Sequence, residues 1–102
     1  MVGRLSFTSL VVLQALSQGH RFGFDIMDVT DLPSGTVYPA LRRMESQGLL
    51  RSGWETQKEA REHARPRRRY YELTSAGKAL LADAESRYRA VSKLFPRRGS
   101  AS

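Results

Sequence analysis

Cysteine is missing from all 102 residues. Without thiols there are no disulfides, zinc fingers, iron–sulfur ligands or cysteine nucleophiles, and the absence fits a reducing compartment. Histidine is nearly missing too. His20 and His63 stand far apart, each in a predicted loop, with no carboxylate cluster beside them. That pattern argues against acid–base catalysis and metal ligation, so no enzyme activity, metal or cofactor is expected. Long apolar runs are also lacking. The longest near the start is Leu10-Val11-Val12-Leu13, far short of the about 20 residues that a transmembrane helix needs. A signal peptide is not expected either, because Arg4 alone supplies a basic start and no A-x-A site follows. The chain is therefore read as cytoplasmic by default.

Hydrophobic residues make up 40% of the chain, and its length suits one core. The net charge is +7, and its distribution is uneven. In the first half Arg4, Arg21, Arg42 and Arg43 are balanced by Asp25, Asp28, Asp31 and Glu45, so the whole excess lies beyond residue 50. Its densest run is Arg65-Pro66-Arg67-Arg68-Arg69. Such asymmetry points to an anionic partner, with nucleic acid the leading case, against a merely solvated face.

Periodicity supplies the elements. Ser6 is a fair N-cap for a helix over 7–17 with Leu10, Leu13 and Leu16 on its apolar side, and Gly19 is a natural stop. Phe22, Ile26 and Val29 place an apolar stripe on a second helix over 23–30. Asp31 to Gly35 is a turn by composition. Val37, Leu41, Met44 and Gly48 then recur at four, three and four, which predicts a third helix over 35–47. With Gly35 as N-cap, Pro39 falls at N4 and removes one bond. Leu49 to Glu55 and Arg68 to Leu73 read as strands. The charged stretch 57–66 between them reads as a long hairpin loop, mobile at its tip, with room for a helical turn over 59–64. Thr74 caps a last helix ended by Pro96, whose Leu81, Ala84, Tyr88, Val91 and Phe95 follow the heptad spacing of helix-on-helix contact.

Helices two and three joined by a short turn, with a basic β-hairpin directly after, form a winged helix-turn-helix. The fold class is mainly α with a small β-hairpin. It divides into a DNA-binding domain over 1–73, a C-terminal helix over 74–96 and a disordered tail over 97–102. A helix about 10–12 Å across fits the major groove, and a basic hairpin beside it reaches phosphates. With Val37, Leu41 and Met44 in the core, Arg42 points outward and Thr36, Tyr38 and Arg43 lie on the flanks. Ser34 stands at the N-terminal edge, where helix dipole and free amides favour phosphate. Lys58, Arg61, Arg65, Arg67 and Arg68 are the phosphate candidates of the wing, Arg67 and Arg68 at its base being the strongest. Arg69 leans toward the protein beside Tyr71 or pairs with an acidic group, and Trp54 is expected to pack between wing and core or on the last helix.

Residues 32–50, Leu-Pro-Ser-Gly-Thr-Val-Tyr-Pro-Ala-Leu-Arg-Arg-Met-Glu-Ser-Gln-Gly-Leu-Leu, resemble the signature of PadR-like transcriptional regulators. Arg69-Tyr70-Tyr71-Glu72-Leu73-Thr74-Ser75-Ala76-Gly77 resembles the family's second wing strand and the start of its last helix, and Phe22-Gly23-Phe24-Asp25-Ile26 its Gly-Tyr-Glu-Ile element. The likeness runs over about residues 7–95. It implies a homodimeric repressor of the short subfamily that binds double-stranded operator DNA. The C-terminal helix, with Leu81, Ala84, Tyr88, Val91 and Phe95, would form the dimer interface. Thr36, Tyr38 and Arg42 would lie on the DNA-reading helix. The turn between helices two and three is shorter, and the wing loop longer and more charged, than is usual in this family. Family members can bind aromatic or hydrophobic small molecules. An effector at the dimer interface is thus in scope, with no residues assigned to it. The competing reading is a winged-helix protein–protein adaptor that does not bind DNA, and the basic residues kept on helix three and the wing weigh against it.

Overall fold

The computed structural model describes residues 5–95. In chain order these form α1 (Phe7–Ser17), α2 (Gly23–Thr30), α3 (Ser34–Ser46), β1 (Leu50–Trp54), α4 (Gln57–Glu62), β2 (Arg69–Leu73) and α5 (Ser75–Ser92). The expected tail over 97–102 lies outside the described residues.

Ser6 caps α1 as expected, its side chain accepting the Ser9 N–H at 3.1 Å. Val12, Leu13 and Leu16 of α1, Ile26 of α2 and Val37, Leu41 and Met44 of α3 are buried in one cluster with Leu49, Leu50, Tyr71 and Leu81. Each such side chain contributes about 1.5–3 kcal/mol through the area it removes from water. Val29, expected on the apolar stripe of α2, is exposed. It sits in the last turn of that short helix and faces a groove beside α1 and α5.

The helix-turn-helix joint is tighter than composition suggests. Asp31 takes a left-handed conformation (φ 60°) and its N–H bonds to the Met27 carbonyl. Pro33 is the N-cap of α3, two residues before the expected Gly35, so Pro39 lies inside the helix at N6 rather than N4. At that depth the missing N–H leaves the Gly35 carbonyl without its helical partner.

β1 and β2 pair antiparallel, Leu50 with Leu73 and Trp54 with Arg69. The hairpin is tied to α5 through Thr74. Its N–H donates to the Leu49 carbonyl at 3.0 Å, and its hydroxyl donates to the Gly48 carbonyl at 2.6 Å while accepting the Gly77 N–H at 3.1 Å. Gly77 is needed here, because a Cβ at that position would collide with the Leu49 carbonyl oxygen.

The heptad seam divides in two. Leu81 is buried in the core of its own chain, because the first turns of α5 lie on the body of the fold. Tyr88 and Val91 are exposed further along the helix, and Phe95 is exposed beyond its end at Ser92. No described helix is long and apolar enough to cross a membrane.

Candidate nucleic-acid interface

The free face of α3 is as the apolar spacing requires. With Val37, Leu41 and Met44 buried, Ser34, Arg42 and Ser46 are exposed. The flanks are less open than expected. Arg43 turns back to α1, where its Nη2 donates to the Ser9 hydroxyl at 3.2 Å. Thr36 is half-buried, and the Tyr38 ring packs on Gly23 of α2 where no side chain would fit. Arg42 is thus the guanidinium of α3 that stays free of protein partners among the described residues.

The wing carries a short helix, α4, where the sequence leaves room for a helical turn within a loop mobile at its tip. Thr56 and Glu59 form a capping box at the start of α4, each side chain bonding the other's backbone N–H at 3.1 and 2.8 Å. The signal was present as Thr-x-x-Glu. Glu55, just before it, is buried. Its carboxylate takes both Arg65 nitrogens, at 2.6 and 3.0 Å, and the backbone N–H of Arg68 at 3.0 Å. The Arg65 hydrogen bonds outweigh desolvation and hold the Glu55 carboxyl down at about 2. The Thr56 contacts also keep the Glu59 carboxyl below its ordinary value.

Two of the expected phosphate ligands make these contacts within the protein. Arg65 is engaged with Glu55, and Arg68 pairs with the same carboxylate while its guanidinium lies 3.6 Å over the Phe22 ring. Arg67 is fixed at one end, its Nε donating to the Glu55 carbonyl at 2.7 Å, with the rest of the guanidinium toward solvent. Lys58 and Arg61 on α4 are exposed. The structure therefore places Arg42, Lys58, Arg61 and Arg67 on open surface; Arg43 is exposed as well, with one bond to Ser9, while Arg65 and Arg68 are half-buried on Glu55.

The model of the transcriptional regulator PadR-like family matches residues 12–83, most of the chain. The chain belongs to the PadR-like family. Membership makes it a DNA-binding transcriptional regulator. Solved PadR-family structures share its fold. A regulator from Clostridium difficile is 28% identical, with 87% of this chain and 94% of that one covered at a TM-score of 0.77. A regulator from Eggerthella lenta is 29% identical, with 81% and 75% covered at a TM-score of 0.64. PadR of Bacillus subtilis, solved in complex with operator DNA, is 21% identical, with 76% of this chain and 47% of that one covered at a TM-score of 0.64. No curated protein matches the chain significantly.

This PadR-like wing carries one cluster that sequence reasoning assigned otherwise. Trp54, expected between wing and core or on the last helix, is 53% exposed, with the Arg69 guanidinium 5.5 Å over its ring. Arg69 in turn donates to the Ser52 hydroxyl at 2.7 Å and pairs with Glu45 of α3 at 3.7 Å. Trp54 is the last residue of β1, beyond the point where the hairpin rests on α3, so the core ends before reaching it.

Proposed function

We propose that this PadR-like regulator is a homodimeric repressor that reads a palindromic operator. One observation carries the DNA half of the reading: Arg42 projects free from the outer face of α3 while the wing beside that helix offers Lys58, Arg61 and Arg67 to solvent. A guanidinium at that position suits bidentate recognition of guanine in the major groove, and the wing cations suit phosphate. Ser34, at the exposed N-terminal edge of α3, suits a phosphate oxygen.

Two-fold association is supported by the apolar surface left over. Phe7 of α1 is exposed, and so are Tyr88, Val91, Leu94 and Phe95 at the far end of α5. Apolar side chains gathered like this mark an interface. Leu81 is excluded from that interface by its burial within the chain, and Ala84, half-buried, stands at the border. A groove of about 450 Å³ between α1 and α5, lined by Phe7, Val11, Val29 and Tyr88, suits an apolar small-molecule effector.

A footprint on DNA upstream of its own gene, at two salt concentrations, tests the reading. A symmetric protected site that weakens steeply with salt is expected, with half-sites about 10 bp apart. An unprotected duplex at low salt would refute it. Tyr88→Asp with Val91→Asp is expected to give a folded monomer in light scattering. A dimeric mass for that variant would refute the assigned interface.

A further inference from the structure

Between α3 and the wing lies a space that neither the free face of α3 nor the wing cations fill. That space is a groove of about 500 Å³, lined by Arg42, Glu45 and Ser46 of α3 and by Arg69 and Tyr71 of β2. Strand alternation explains its outer wall. Leu50, Ser52 and Trp54 of β1 share one face with Leu73, Tyr71 and Arg69, their partners across the hairpin. The face starts in the core at Leu50 and Tyr71 and rests on α3 where Ser52 donates to Glu45. It emerges into solvent at Trp54 and Arg69.

Resting on the DNA-binding reading, we infer that Trp54 and Arg69 form a clamp for one sugar–phosphate strand of the duplex. A helix in the major groove and a wing in the neighbouring minor groove must straddle the strand that separates those grooves. In this fold that strand passes through the groove between α3 and the hairpin. Arg69 is held for the task. Its Nη2 is fixed by Ser52 and Glu45, and Nε and Nη1 have no partner among the described residues. Those two nitrogens meet a phosphate, and the Trp54 ring lies against the adjoining deoxyribose. The Glu45 carboxylate in the groove accepts the Ser52 hydroxyl and pairs with Arg69 at 3.7 Å, which offsets its repulsion of the strand. Arg42, on the opposite wall, stays free to reach a base.

Trp54 is the one tryptophan of the chain, so its emission reports on the clamp directly. DNA binding by the wild-type protein is followed by anisotropy of a labelled operator, and Trp54 by acrylamide quenching in the same samples. Quenching is expected to be efficient in the free protein and to fall several-fold as the anisotropy saturates. Saturating anisotropy with unchanged quenching would overturn the clamp and leave the DNA-binding reading intact. Quenching that is already weak in the free protein would overturn the clamp as well. No anisotropy change at low salt would overturn both. Two variants separate the roles. Trp54→Ala is expected to weaken binding about tenfold at unchanged salt slope. Arg69→Ala is expected to lower the slope of log affinity against log salt by about 0.9, one phosphate contact. An Arg69→Ala protein with wild-type slope would overturn the phosphate assignment.

Discussion

The recognition helix and the wing use their arginines in opposite ways. The half of the chain that holds α3 has no net charge, yet Arg42 there is unpaired and faces outward. The wing holds the densest basic run, yet Arg65 and Arg68 within it converge on the single carboxylate of Glu55. Formal charge and available charge are different quantities. A buried carboxylate with several donors organises the loop around it. The wing's surplus is therefore part scaffold and part free surface, and the second part is what it offers to an anionic partner.

The sharpest way to break this comparison is Arg42→Ala. It should cost about 1–3 kcal/mol of operator affinity and relax the preference at one base position, as measured by binding to operators substituted base by base. Equal affinity with unchanged preference would remove Arg42 from the reading face. Next in size comes Arg61→Ala on α4. It should weaken specific and non-specific duplexes alike and lower the salt slope by about 0.9. Arg65→Ala, in contrast, should leave that slope unchanged while amide exchange in α4 speeds up, because the loss falls on the Glu55 anchor. A slope that drops as far as in Arg61→Ala would put Arg65 on phosphate after all.

The smallest effect is one of pH. Glu55 is held ionised by Arg65 down to about 2, against an ordinary value of 4.5. Its contribution to wing order is thus fully present above pH 4.5 and disappears as the pH falls through about 2. Amide protection in α4 should follow that course in the wild-type protein, and in Glu55→Gln only the dependence that comes from the Glu59 cap should remain.

The elements that hold the core were legible in the sequence because their periodicity has one solution. Val37, Leu41 and Met44 can be buried together only if Arg42 points out. The wing was not legible in the same way. Its order comes from Glu55, a single charged residue in a charged stretch, and no spacing rule distinguishes it from Glu59 or Glu62. The capping box at Thr56 and Glu59 was visible but short. Leu81 fits a heptad and a core equally well, and only the docking of α5 on the body decides between them. Trp54 went the other way. A lone large aromatic is expected inside, but β1 runs past the edge of the core and carries it out.

Thr74 has a consequence at a larger scale. One residue joins the end of α3, the start of β1 and the first turn of α5, with Gly77 closing the joint against the Leu49 carbonyl. Such a weld ties the hairpin and α5 together at a single residue. Paired along the far end of α5, two copies would behave as a caliper whose legs are rigid from pivot to tip. A change of tilt at the pivot would then be spent on the gap between the two reading helices, and operators of different half-site spacing would measure it like a ruler.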